Sequence, residues 1–264
     1  MTGGGERPVP FRGGGFEARR ARLLPPTALA GLVLVWHAVV AGGLANPLFL
    51  PSPVSVAAAL WELAQSGALA VHLAASVGRV ATGWVIGTAM GLAVGLAIGI
   101  VSAARAVGMP LVSALFPIPK IAVLPLFILW FGIGEPSKVA TIAAGVFFPT
   151  VIAAVGGVDQ VPRSLIRMGQ SFGMPVAAIV WRIVVPGALP IVLSGFRITV
   201  AIAVILVVAA EMIGADEGLG AFVLMAGNLM RTDQLLAGVV VLSALGLAGA
   251  GLVSLAERLL LRWR

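Results

Sequence analysis

The chain has 264 residues, no cysteine, a formal net charge of +7, a mean hydropathy of +1.10 and only 10% charged residues. Soluble domains carry roughly a quarter charged residues, so a water-soluble fold is excluded and the useful count is of membrane spans, each about 20 apolar residues long. The missing cysteines remove disulfides, thiolate nucleophiles and Cys-held metals, and the arginines flank apolar runs as membrane topology requires, which argues against a nucleic-acid face.

Residues 1–24 are rich in glycine and arginine (GGGERP, FRGGGFEARRARL) without a periodic apolar face, and are expected to form a disordered cytoplasmic tail ahead of one transmembrane domain, 25–264. The first apolar run, 25–43, follows Arg19, Arg20 and Arg22. A secretory signal begins in the same way, but the length of the run and the need for an even number of spans favour a retained signal-anchor. Asn46, Pro47, Pro51 and Pro53 stop that helix, and Ser52 before Pro53 reads as the cap of a short helix over 53–65, with Trp61 suited to the headgroup layer.

The second span, 78–101, holds Gly83, Gly87, Gly91, Gly95 and Gly99, a small-residue ridge that permits close helix packing. The third, 107–131, contains Pro110, Pro117, Pro119 and Pro125 and must be kinked or broken. Spans four, five and six are expected over 139–155, 189–210 and 235–256, with a polar outer loop carrying a short helix over 211–233. Six spans put both termini on one side. That side receives most arginines, among them Arg105, Arg163, Arg167, Arg182, Arg258 and Arg262. The other keeps Arg79, Lys138 and Arg231 with the acids Glu62, Glu135, Asp216, Glu217 and Asp233. The bias makes both termini, and the loop over 159–188, cytoplasmic.

Within that loop LIRMGQSFGMPVAAIVWRIVVPGALP reads as helix, turn, helix: Pro162 opens the first helix, Gly173 stops it, Pro175 restarts and Pro186 ends the second. Leu165, Met168 or Gly169, and Phe172 recur at helical spacing as the apolar side, opposite Arg163, Arg167 and Gln170. Tethering between spans argues against DNA binding. A loop lying on anionic headgroups leaves its PGALP entrance to the next span unexplained, whereas a docking element for a cytoplasmic partner accounts for it.

Gly173, followed after nine residues by Ile183, Val185 and Pro186, resembles the EAA loop of ABC importer permeases (Glu-Ala-Ala, three residues, Gly, nine residues, Ile, any, Leu, Pro). LPSP at 50–53, PIPKIAVLPLFILWFGIGEPSK at 117–138, FFP at 147–149, GFRI at 195–198, and AEMIG with GLG over 210–220 are similar to the nitrate, sulfonate and taurine branch, over about residues 46–264. One departure stands out: Arg167, Met168 and Gly169 replace Glu-Ala-Ala, so a cation occupies the place of an anion.

The resemblance implies an all-α, type I importer permease fold with six transmembrane helices in a bacterial inner membrane. It implies ATP-driven alternating access for a small anionic solute such as a sulfonate, taurine or nitrate. The implied partners are a second permease copy, a cytoplasmic ABC ATPase dimer and an external, periplasmic solute-binding protein, besides membrane lipid. The ATPase would meet Arg163, Arg167, Met168, Gly169, Gly173, Ile183, Val185 and Pro186; the family's glutamate contact does not carry over to Arg167, and the reversed charge there predicts a carboxylate in the groove near it.

The chain has no GxxxxGK[ST] loop, so ATP-Mg is expected on that partner and no cofactor on this chain. Intramembrane charge points to a function, and Lys120 between Pro119 and Pro125 is a candidate for the translocation pathway or gate, or else a cap on the broken helix. Glu211 is either a pathway or binding-protein contact or a solvated helix end, while Arg197 is expected to snorkel to the inner surface. His37 and His72 have no partner at metal spacing. An ion-coupled secondary transporter lacks support from inverted repeats, and a membrane-embedded enzyme lacks a catalytic constellation: there is no HExxH, Ser/His pair or acid cluster.

Overall fold

A computed structural model describes residues 24–262, so the tail expected over 1–24, apart from Leu24, lies outside the described residues. The described residues are helical, without a strand. In chain order they form α1 (Leu24–Ala41), α2 (Pro53–Gln65), α3 (Ala68–Ile100), α4 (Ser102–Leu115), α5 (Leu124–Phe131), α6 (Glu135–Asp159), α7 (Arg163–Ser171), α8 (Val176–Ile179), α9 (Val185–Gly214), α10 (Leu219–Asn228) and α11 (Thr232–Leu260). Four stretches are long and apolar enough to cross a membrane: α3, α6, the continuous helix Val176–Gly214 and α11. The pair α4 and α5, bent by 88°, makes a fifth if it counts as one span. The first expected span corresponds to α1, a shorter apolar helix.

Local sequence explains most boundaries. Ser52 caps α2 by accepting the Ser55 N–H at 3.1 Å, with Pro53 in the first turn where its missing N–H costs nothing. Between α4 and α5 the chain turns at Pro117 and Pro119 and re-forms as a 3-10 turn over Lys120–Val123, so the third span is broken as its prolines require. Helix α6 starts at Glu135, earlier than expected, directly after Gly132 and Gly134.

The centre of the molecule is α6, packed between α3 and α9. Ile142 and Val146 of α6 are fully buried against Ala203, Leu206 and Val207 of α9, with Val80 and Trp84 of α3 beside them. The glycine ridge of α3 lies flat on α6. A Cβ on Gly87 would sit 2.5 Å from the Ala143 carbonyl, one on Gly91 2.7 Å from that of Phe147, and one on Gly95 2.9 Å from that of Val151. The two backbones touch, which only glycine permits.

Two expectations fail. Pro186 does not end a second loop helix: it lies in the first turn of α9, and the helix runs unbroken from Val176 to Gly214 through a π turn over Val180–Val184. The widened turn shifts the hydrogen-bond register, which is one way a helix absorbs a proline's missing donor. Helix α9 also continues to Gly214, so Glu211 lies within its last turn.

Candidate functional site

At one end of the bundle α7, α8 and the π turn project from the ends of α6 and α9. Gly169 is buried where α7 meets the chain that follows, and a Cβ there would come within 3.1 Å of Ile183 and 3.3 Å of Ile179. Gly173 takes φ +70°, the left-handed turn that ends α7 and favours glycine. Ile183, Val185 and Pro186 are half-buried at the junction with α9. These residues build the scaffold of the loop.

Of the residues expected on the apolar side of α7, Gly169 is buried and the larger ones are exposed. Ile166 and Gly169 face inward with Val161, Ile179 and Val184, while Leu165, Met168 and Phe172 are exposed. Phe172 is 79% exposed, and Val176 and Trp181 beyond it are 74% and 70% exposed. Arg163, Arg167 and Arg182 are exposed on the same small element. An apolar patch set among cations and left uncovered by the described residues has the composition of a docking surface.

Halfway along α6, Lys120 sits at the break between α4 and α5. Its Nζ donates to the carbonyl oxygens of Leu115 (2.8 Å), Phe116 (3.2 Å) and Ile118 (2.8 Å), and lies 4.5 Å from the centre of the Phe148 ring. All three ammonium donors are engaged with carbonyls at the break, of which Leu115 also accepts the Ile118 N–H at 3.3 Å. Pro119 precedes the 3-10 turn and Pro125 lies in the first turn of α5.

The opposite end holds a cluster that the sequence reading left unassembled. Glu211 is 1% exposed, so it is not a solvated helix end. Its carboxylate accepts from Arg79 Nη1 (2.7 Å), Ser76 Oγ (2.8 Å) and the Gly220 N–H (2.8 Å). Arg79 also grips Glu135 at 2.6 and 2.7 Å and donates to the Glu217 carbonyl at 2.6 Å. Lys138 approaches Glu135 at 3.6 Å. His72 accepts the Gly218 N–H through Nδ1 at 3.1 Å and packs at a 41° tilt against the Phe222 ring. A signal for Arg79 did exist. Helix α3 begins at Ala68, ten residues before the expected start of that span, so Arg79 lies inside an apolar helix where a charge asks for a partner.

Two further ion pairs tie elements at the α7 end. Arg105 of α4 holds Asp159 of α6 through two bonds at 2.6 and 2.7 Å, and Arg197 of α9 pairs with Glu257 of α11. Arg197 thus has a fixed partner beyond the snorkelling expected of it. The α7–α8 loop, the break at Lys120 and the Glu211 cluster are three separate places along the bundle. Among the described residues no group of His, Cys, Asp and Glu is arranged to hold a metal ion.

Comparison with known proteins agrees with this architecture. The family model described as binding-protein-dependent transport system inner membrane component matches residues 87–262. The taurine transport system permease protein TauC of Escherichia coli (strain K12) is 38% identical over 88% of this chain and 86% of its own. The putative aliphatic sulfonates transport permease protein SsuC of the same strain is 35% identical over 92% of each. A crystal structure of an amino acid ABC transporter with histidines, 15% identical, superposes with a TM-score of 0.62 over 75% of this chain and 97% of that one, which speaks for the fold alone. The chain therefore belongs to the binding-protein-dependent transport system inner-membrane components and is an all-α, multi-pass ABC importer permease, a transport subunit and not an enzyme.

Proposed function

We propose that this permease imports a small organic sulfonate or similar anion (taurine, an aliphatic sulfonate or nitrate), with two copies enclosing the pathway and both termini in the cytoplasm. One transmembrane domain, 25–264, follows a cytoplasmic tail. A solute-binding protein delivers the anion from outside, lipid surrounds the spans, and ATP-Mg is held by two ABC ATPase subunits. The similarity to taurine and sulfonate permeases supports the substrate class, and the arginine-rich α7 end supports the orientation.

The observation that carries the reading is the α7–α8 surface. Met168, Phe172, Val176 and Trp181 are exposed apolar groups on an element that nothing else among the described residues covers. A chain without a phosphate loop must receive ATP's work from another polypeptide, and this surface fits the receiving end. The docking set is Arg163, Arg167, Met168 and Gly169 on α7, with Gly173, Ile183, Val185 and Pro186 holding its shape. Because Arg167 stands where relatives of the EAA pattern carry glutamate, the ATPase groove presents a carboxylate there. ATP binding would then bias an equilibrium between inward- and outward-open states. The pathway passes the break framed by Pro119, Lys120 and Pro125, where the ammonium favours an anion, and Glu211 serves the pathway by fixing its outer end.

Co-purification with the ATPase from the native operon tests this. Intact permease should retain ATPase through detergent extraction, and Arg167→Glu should lower its recovery at least tenfold. Undiminished recovery with Arg167→Glu refutes the charge pairing, and no ATPase with the intact permease refutes the reading itself.

A further inference from the structure

The Glu211 cluster is the most heavily bonded polar feature of the fold and lies far from the docking surface. Three consecutive backbone amides at the start of α10 are each taken by a side chain from another element: Gly218 by His72 and Leu219 by Ser76, both on α3, and Gly220 by Glu211 on α9. Helix starts leave such amides without internal partners, and here the bundle supplies them. Arg79 closes the arrangement by joining Glu211, Glu135 at the start of α6, and the Glu217 carbonyl. The packing leaves no slack. A Cβ on Gly220 would sit 2.5 Å from the Val208 carbonyl, and one on Gly218 would overlap the Glu211 carboxylate.

At the α7 end the outlying helices are held more lightly. Arg105 of α4 pairs with Asp159 of α6, and Arg197 of α9 with Glu257 of α11, through exposed side chains. An open apolar groove lined by Val77, Trp84, Phe196 and Leu252 runs between α11 and the helices α3 and α9. Helices held by a buried network at one end and by exposed pairs at the other have their freedom at the exposed end.

We infer that Arg79 and Glu211 are positioning residues of the transport cycle: with Ser76 they tie residues 215–228 to the outer ends of α3, α6 and α9 as a fixed knot, which stays closed while the more lightly held α4 and α11 move when the docking surface is driven. A buried ion pair is weak evidence for stability but suits the fixing of one arrangement. The inference rests on the ATP-driven reading above.

The test uses the assembled permease–ATPase complex in proteoliposomes, with ATP and vanadate as probes. With no native cysteine, spin labels can be placed in pairs at Val71 and Met225 across the knot, and at Val107 and Leu259 across the other end. In the otherwise native chain, ATP with vanadate should shift the second distance and leave the first unchanged. Glu211→Gln should broaden the first distance and raise ATP hydrolysis without binding protein several-fold, while Arg79→Lys should recover part of the coupling. A purely structural role would lower the yield of complex and leave hydrolysis per assembled complex unchanged. Two results overturn the inference: both distances shifting alike in the native chain, or Glu211→Gln matching it in distance and hydrolysis. Should Glu211→Gln not assemble, Glu135→Gln removes only the half-exposed arm and should raise unstimulated hydrolysis about twofold; hydrolysis at the native level then overturns the inference. Absence of any ATPase in the native preparation would instead sink the functional reading.

Discussion

Replacing Gly87 with alanine adds one methyl group at the point where α3 and α6 touch. Its Cβ would lie 2.5 Å from the Ala143 carbonyl oxygen and 3.0 Å from the Ala143 Cα, both backbone atoms that no side-chain rotation can clear. Carbon contacts are comfortable near ~3.5–4 Å, so the helices must part by roughly 0.5–1 Å, a gap that forfeits about a quarter to a half of each contact's dispersion energy along the ridge. Overpacking of this kind costs about 1–3 kcal/mol. Alanine is also the better helix former, by about 0.8–1 kcal/mol, which partly hides the loss. Gly78 of the same helix supplies the control, because a Cβ there meets nothing within 4 Å. The difference in melting between Gly87→Ala and Gly78→Ala therefore isolates the packing term. It should be several degrees, at about 2–4 °C per kcal/mol for a chain of this size. Thermal unfolding of the purified permease in detergent measures it, and equal melting of the two variants would refute backbone contact as the reason for glycine.

Three shorter predictions bear on the other parts of the site. Phe172→Ala and Trp181→Ala should leave melting of the isolated permease unchanged yet lower ATPase recovery on co-purification, because both side chains are exposed in the lone chain; a loss of melting temperature instead would mean they pack within the chain. Lys120→Met keeps the length and removes the donor to Leu115, Phe116 and Ile118, leaving Leu115 only the Ile118 N–H and costing about 1–3 kcal/mol for the carbonyls that lose their donor, read as lower melting together with slower uptake of taurine as a probe anion. Arg105→Gln removes a surface pair between α4 and α6 and should change neither melting nor assembly, since exposed pairs contribute little.

Features governed by neighbours in sequence were legible in it. The Ser52 cap, the left-handed stop at Gly173 and the break among Pro117, Pro119 and Pro125 follow from local backbone chemistry, and all are present. The five-glycine ridge predicted a close helix contact, though only the fold identifies α6 as the partner. The Glu211 cluster was not legible, because its members lie far apart in the chain: Ser76 and Arg79 are separated from Glu211 by 135 and 132 positions. At α7 the spacing marked an apolar side, and only the fold shows that nothing among the described residues covers Leu165, Met168 and Phe172. Pro186 misled because a proline near a helix start and one that ends a helix look alike until the π turn before it is seen.

The exposed surface of α7 and α8 also bears on the life of the subunit before assembly. Until a partner covers it, Met168, Phe172, Val176 and Trp181 offer the aqueous side of the membrane the sticky apolar patch by which chaperones and proteases recognise unfinished proteins. A copy made in excess thus advertises its own orphan state. On the docking role proposed above, the stoichiometry of the complex can be policed by clearance of unpaired chains, with no signal beyond these exposed side chains.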